Sequence, residues 1–245
     1  MADFIHVGSR SAQGKRDNNE DSFLVDLPHR LYIVADGMGG QEHGERASGM
    51  AAEIISRVVQ TGLATNEDPK LLLLRALNEA NLAIIEEGRD QPEGRRMGTT
   101  AVLALQLNGT VYVTHLGDSR AYLVRGDSVR LLTVDHSVAQ ELVNHGVLSP
   151  EEARHSPLQH VLYRFLGCTQ MEEDAEITPL VPEAGDRLVL GSDGLTNHID
   201  DDDLREGARE FADPQVWCDQ LVDMALARGS SDNVTCVVVA FEAEG

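Results

Sequence analysis

Apolar residues along this chain fall into two periods. Short runs rich in aliphatic and β-branched side chains recur at Phe23–Val25, Leu31–Ala35, Thr99–Leu107, Thr110–His115, Ala121–Val124, Arg187–Leu190 and Val234–Phe241, and runs of this length and composition predict strands. Asn108-Gly109 joins two of them and tolerates the positive φ of a tight hairpin turn, and Gly126-Asp127 closes a second. Antiparallel sheet follows. A spacing of three and four residues instead places Ala47, Ala51, Ile54, Ile55, Val58 and Val59 on one face of a helix, which should cover a sheet. A second helix opens at Asp68-Pro69, carries Leu71, Leu74, Leu77, Ile84 and Ile85, and stops near Gly88; a third runs from Asp213-Pro214 to about Gly229. The polar stretch 136–178 holds Ser149-Pro150-Glu151-Glu152, whose serine and glutamate make a capping box, so short helices are expected in what reads as an insertion between strands. Because strands and helices do not alternate one for one, the predicted class is α+β, with layered antiparallel sheets and helices outside rather than a doubly wound parallel sheet.

Composition narrows this picture. With 245 residues, 42% of them hydrophobic, the chain can bury a sizeable core, and no linker or repeat divides it, so one domain over 1–245 is expected. Lysine and arginine number 20 against 41 aspartates and glutamates, a formal charge of −21, which repels nucleic-acid backbones and anionic lipid surfaces. No apolar run approaches a bilayer span, and the start Met1-Ala2-Asp3-Phe4 has no basic and apolar leader, so a cytoplasmic protein is expected. Cys168, Cys218 and Cys236 form no Cys-x-x-Cys pair and read as buried reduced thiols.

The chemistry lies where apolar strands meet aspartates. Leu31–Ala35 runs into Asp36-Gly37, Val111–Leu116 into Gly117-Asp118-Ser119-Arg120, and Leu188–Gly191 into Ser192-Asp193-Gly194, while Ser231-Asp232-Asn233 precedes Val234. Strand ends hold side chains at fixed depth, so these carboxylates can converge, and converging carboxylates raise one another's pKa unless a cation lies between them. Oxygen ligands without accompanying histidine or cysteine suit magnesium or manganese rather than zinc. Asp200–Asp203 contrasts with these: it opens a helix, where acidic charge is favoured, and no metal is assigned to it. Upstream, Arg16-Asp17-Asn18-Asn19-Glu20-Asp21 adds two carboxylates and a guanidinium whose fork matches phosphate oxygens.

In order, Arg16-x-x-x-Glu20-Asp21, Ala35-Asp36-Gly37-Met38-Gly39-Gly40, Gly98-Thr99-Thr100, Gly117-Asp118-Ser119-Arg120, Ser192-Asp193-Gly194 and Asp232-Asn233 resemble the metal-dependent serine/threonine phosphatases of type 2C in their compact bacterial form, over about residues 8–241. The resemblance implies an α-β-β-α sandwich with a metal cluster at one end of the sheets. It also implies two manganese or magnesium ions bridged by Asp36, with the Gly37 carbonyl on one and Asp193 and Asp232 on the other. Glu20 and Asp21 then act largely through water, Arg16 holds the substrate phosphate, and Asp118 with Asp193 supports a weaker third ion. Against this last role, Asp118 could be a turn aspartate bonded to Arg120 or to nearby backbone. The implied reaction is attack on phosphorus by a water that two ions have acidified, with no protein nucleophile. Implied partners are phosphorylated proteins and a cognate serine/threonine kinase, with a monomeric enzyme.

The proton donor to the leaving alkoxide is open. Met38 and Gln41 stand where relatives carry histidine, and His43 or a metal-bound water could serve, with water favoured. The stretch 136–178 matches the family's flap in position. Its His136, His145, His155 and His160 show no i, i+4 metal spacing and read as solvated, with only His160 and Arg164 suggesting substrate contact; neither is assigned. Other chemistries fail on pattern. Six residues beyond the cysteines stand Asp174, Met224 and Glu242 where a cysteine phosphatase needs arginine, and neither a phosphate loop, a dinucleotide fingerprint nor a Gly-x-Ser-x-Gly elbow is formed. A catalytically silent phosphatase-like module that binds phosphoproteins or a kinase is the competing reading; the presence of Asp36, Asp193, Asp232 and Arg16 weighs against it.

Overall fold

The computed structural model describes residues 4–40, 42–90, 97–169 and 175–243; Gln41 and positions 170–174 of the expected flap lie outside them. Two antiparallel sheets stack face to face. The first has the order β1 (Phe4–Ala12), β11 (Val234–Glu242), β10 (Arg187–Gly191), β7 (Arg120–Arg125), β8 (Ser128–Leu131). The second runs β2 (Asp21–Asp26), β3 (Leu31–Met38), β5 (Ala101–Leu107), β6 (Thr110–Leu116), β9 (Ile177–Leu180), with the short β4 (Gly98–Thr99) paired to the end of β3. The expected single strand Thr99–Leu107 is therefore two, broken where the Thr100 N–H donates to the Asp36 carbonyl.

Alternation along the strands builds the layers. Tyr32, Val34, Val102, Ala104, Leu188, Leu190, Val237 and Val239 point between the sheets, and Leu31, Ile33, Leu103 and Leu105 point outward beneath α1 (Glu42–Ala64) and α2 (Pro69–Glu87). Val189, Cys236 and Val238 face α7 (Pro214–Ala227), where Trp217, Cys218, Leu221 and Val222 are buried. Each such aliphatic side chain contributes about 1.5–3 kcal/mol by leaving water, so the α-β-β-α order follows from two sheets that are apolar on both faces.

Local chemistry sets the element ends. Asp68 accepts from the N–H groups of Lys70 and Leu71 at the start of α2, and Asp213 from that of Gln215 at the start of α7. Asp200 caps α6 (Asp201–Glu210) in a reciprocal box with Asp203, and Ser149 does the same with Glu152 at α4 (Pro150–Arg154). Asn108 and Gly109 both take positive φ, 51° and 77°, in the β5–β6 hairpin. The buried face of α2 differs from the expected one: Leu72, Leu73, Ala76, Leu77, Ala80 and Ile84 face inward and Leu71 is exposed, because the four consecutive leucines Leu71–Leu74 leave the face undetermined until packing selects it. Cys218 and Cys236 are buried thiols, whereas Cys168 is only half-buried. No helix among the described residues is long and apolar enough to cross a membrane.

Candidate metal centre and phosphate site

Asp21 and Asp36 are direct cross-strand partners on β2 and β3, an arrangement of like charges that a sheet ordinarily avoids. Asp36 is fixed through its backbone. Its N–H donates to Thr100 Oγ1 at 2.9 Å, its carbonyl accepts from the Thr100 N–H and from Thr99 Oγ1, and Thr100 Oγ1 meets Ser119 Oγ at 2.7 Å. The Gly98-Thr99-Thr100 motif thus ties the end of β3 to the turn that carries Asp118. Gly117 before Asp118 adopts φ 100°, and a Cβ there would lie 2.6 Å from Thr100 Cγ2, so the turn requires glycine.

Asp193 opens the short helix α5 (Asp193–Thr196) directly after β10. A Cβ on Gly194 would fall 1.9 Å from the Asn233 carbonyl and 3.2 Å from Asp232 Cβ. The missing side chain is what lets Asp193 and Asp232 stand side by side. Asn233 then organises the segment bearing Arg16 and Glu20: its Oδ1 accepts from the Glu20 N–H at 2.8 Å, and its Nδ2 donates to the carbonyls of Gln13 and Asn18. Gly37 donates its N–H to the Glu20 carbonyl. Arg16 Nη2 lies 2.6 Å from Asp232 Oδ2.

Arg16, Glu20, Asp36, Gly37, Asp118, Asp193 and Asp232 therefore line one open cleft of about 1660 Å³. Asp21 is beneath them, accepting from Ser192 Oγ (2.8 Å) and Thr235 Oγ1 (2.6 Å) through Oδ2, while its buried Oδ1 has no partner among the described residues. Of the two alternative partners expected for Asp118, the Arg120 guanidinium is committed to Asp135 in a two-point pair at 2.8 and 2.6 Å, whereas the backbone partner is present, the carboxylate accepting from its own N–H. His43 is exposed on the first turn of α1, away from the cleft lining.

Desolvation dominates the electrostatics. Burial, reinforced by Asp21, Asp193, Asp118 and Asp232, pushes Asp36 well above the usual carboxylate range. Asp21 rises to about 7 through burial, with the Thr235 and Ser192 hydrogen bonds opposing and Asp193 and Asp232 adding; Asp118 rises to about 7 through burial and the charges of Asp193 and Asp135. Burial would also raise Asp193, but His160 and a hydrogen bond from Asp36 hold it below the usual range. A carboxyl cluster forced towards neutrality, with an orphaned oxygen at its floor and oxygen donors on every side, fits hard divalent cations.

The flap histidines divide. His136, expected in solvent, is buried; its Nδ1 accepts from the Gly117 N–H at 3.1 Å, its backbone N–H donates to the Gly117 carbonyl at 3.0 Å, and its ring stacks on His115 with centroids 4.5 Å apart. His145 pairs with Glu141 on the surface. His160 reaches the cleft, with Nδ1 3.5 Å from Asp193 Oδ2. A spacing test within one helix could not find either contact, because both partners lie on other elements.

The fold and the site define a metal-dependent phosphoprotein phosphatase, and comparison with known proteins agrees. The Protein phosphatase 2C family matches residues 9–227, and the chain belongs to it. Serine/threonine phosphatase stp of Listeria innocua is 34% identical over 242 residues, covering 96% of this chain and 95% of that protein. Serine/threonine protein phosphatase PstP of Mycobacterium tuberculosis is 34% identical over 96% of this chain, which corresponds to 44% of PstP. A crystal structure of the M. tuberculosis enzyme superposes with TM-score 0.87 at 33% identity, covering 98% of this chain and 99% of the other, and the PstP catalytic domain in complex with two manganese ions gives 0.84 at 32% over 98% and 99%.

Proposed function

We propose that this phosphatase hydrolyses phosphoserine and phosphothreonine in proteins directly with water, with no covalent protein intermediate, beside a pair of divalent ions, Mn2+ or Mg2+. Asp36, the Gly37 carbonyl, Asp193 and Asp232 would hold the pair, with Glu20 and Asp21 acting behind them through water. The observation that carries this reading is the position of Asp36, half-buried in the cleft wall, desolvated, hydrogen-bonded to Asp193 and raised by four neighbouring carboxylates. When bound, the ions supply a water acidified towards neutral pH and positive charge for the transferring phosphoryl oxygens.

The chain's own groups account for the rest. Arg16, oriented at the cleft mouth by Asp232, presents a planar fork to phosphate oxygens, a geometry that strengthens as charge spreads over them. The nearby hydroxyls are committed elsewhere: Ser192 donates to Asp21, and Thr100 and Ser119 bond each other, which supports attack by water rather than by a side chain. Asp118 and Asp193 would hold a weaker third ion. The phosphoprotein substrates require a serine/threonine kinase to make them, and that kinase is the proposed cognate partner. One chain brings Arg16, Asp36, Asp118, Asp193 and Asp232 to a single cleft, which supports a monomer with a single catalytic domain over 1–245, and a cytoplasmic location matches such substrates.

The test is turnover of p-nitrophenyl phosphate and a phosphothreonine peptide with manganese, magnesium or chelator, for wild type and Asp193→Ala. Manganese-dependent turnover lost in the variant is expected; equal rates in chelator would overturn the mechanism.

A further inference from the structure

His160 is fixed in place by backbone pairing on both sides. Before it, the Ala139 N–H donates to the Leu158 carbonyl at 3.3 Å; after it, the Val138 N–H donates to the Val161 carbonyl at 2.8 Å, the Tyr163 N–H to the His136 carbonyl at 3.0 Å, and Leu166 exchanges two hydrogen bonds with Thr99. This pairing sets the imidazole over the acidic end of the cleft. Asp118, His160 and Asp193 each offer one ligand atom, and all three atoms lie within 4.8 Å of one another.

Spacing separates a simple ion pair from a shared cation. A charge-assisted hydrogen bond brings N and O to about 2.7–2.9 Å, whereas His160 Nδ1 and Asp193 Oδ2 are 3.5 Å apart. Two adjacent ligands of one ion, each at roughly 2.0–2.2 Å from it, stand about 3–3.6 Å apart. Asp118 adds a second reason: an ion pair between His160 and Asp193 leaves that buried carboxyl facing like charge, and an ion among the three does not. The far ring nitrogen, Nε2, is 3.0 Å from Gln159 Nε2; the amide turned over, so that its oxygen accepts from Nε2–H, would hold the tautomer whose Nδ1 lone pair faces the carboxylates.

We propose that His160 is a ligand of the ion held by Asp118 and Asp193, making this a mixed nitrogen and oxygen site that the flap itself completes. The inference rests on the third-ion reading above and adds to it a donor, a metal preference and a coupling. An imidazole beside two carboxylates favours manganese over magnesium, which takes oxygen ligands and keeps its waters. Occupancy by manganese therefore ties residues 156–168 to the cleft, and magnesium does so far less.

The experiment uses the full chain with manganese, read by equilibrium dialysis and by electron spin-echo modulation from nitrogen-14 coupled to the ion, in wild type, His160→Ala, His160→Asp and Asp118→Asn. The wild type should take up a third equivalent and show imidazole modulation. His160→Ala should lose that modulation and weaken the third equivalent at least about tenfold while keeping the first two; His160→Asp should regain the equivalent without the modulation and accept magnesium equally. The His160 ring is largely exposed, 56%, so these variants leave the core untouched. Unchanged modulation and affinity in His160→Ala, with the third equivalent still lost in Asp118→Asn, would overturn the role of His160 and leave the third-ion reading standing. Only two equivalents in both wild type and Asp118→Asn would overturn that reading and the proposal with it.

Discussion

The acidic end of the cleft and the imidazole stack at the base of the flap are both groups of titratable side chains withdrawn from water, joined through the Gly117-Asp118 turn. Burial moves them in opposite directions. Asp21 and Asp118 are pushed up to about 7, whereas His136 falls to about 3 through burial and the neighbouring charges of His115 and Arg164. Each group is driven to its neutral form, yet only one region is served by it. Neutral His136 is the acceptor that the Gly117 N–H needs, so its desolvation is matched to its bonding. Among the carboxyls only Asp36 has such a bond, to Asp193, and Asp21 Oδ1 has no partner among the described residues. A desolvated group whose bonds suit its neutral form is architecture, and one whose bonds do not is waiting for a ligand.

The largest way to break this contrast is Asp36→Asn. Phosphopeptide turnover in manganese should fall at least about a thousandfold, roughly 4 kcal/mol in the barrier, while the melting temperature in chelator holds or rises because a neutral amide needs no proton to sit among the other carboxylates; steady-state kinetics and calorimetry check the two halves. Gly117→Ala strikes the link between the regions. With φ 100° and Thr100 Cγ2 2.6 Å from the new Cβ, it should destabilise the fold by about 2–4 kcal/mol in urea titrations. Arg16→Ala should lower kcat/KM for phosphopeptides by about 10–100-fold, roughly 1.4–2.8 kcal/mol, leaving stability within about 0.5 kcal/mol.

The finest test is the sign of two pH dependences in chelator. His136 has a folded pKa, about 3, below the unfolded value of 6.5, so the unfolded state binds more protons between them and the stability is lost as pH falls through that window. Wild type should lose about 1–2 kcal/mol relative to His136→Gln between pH 7 and pH 5. Asp118 has a folded pKa, about 7, above 3.8, so its contribution is lost as pH rises, and wild type should gain relative to Asp118→Asn over the same acidification. Equal signs in the two comparisons would dissolve the distinction.

Much of this was legible in sequence because it is local. A strand running into Asp-Gly fixes the depth of Asp36 and Asp193, and the glycines of Gly117-Asp118 and Asp193-Gly194 mark close approaches that any larger residue would block. What escaped was set by partners distant along the chain. β1 carries Gly8 and several polar residues and reads as a strand only once paired with β11; β9 contains Pro179, tolerated because the strand lies at a sheet edge. The stacking of His136 on His115 and the approach of His160 to Asp193 join residues from different elements, which no periodicity within a single helix reveals. Asp21 was expected in the metal site, but its place beneath the cleft, held by Ser192 and Thr235, depends on the sheets meeting.

The central claim is that carboxyls kept protonated by burial form a cation site on which hydrolysis depends. It is tested most directly by titrating manganese into the chelated chain near pH 6.5 in buffers of different ionisation enthalpy, with phosphopeptide turnover followed in parallel. The account predicts net proton release on binding, as ions displace protons from Asp36, Asp21 and Asp118, and turnover that rises as the sites fill. Binding without proton release, or full turnover before any manganese is added, would contradict it.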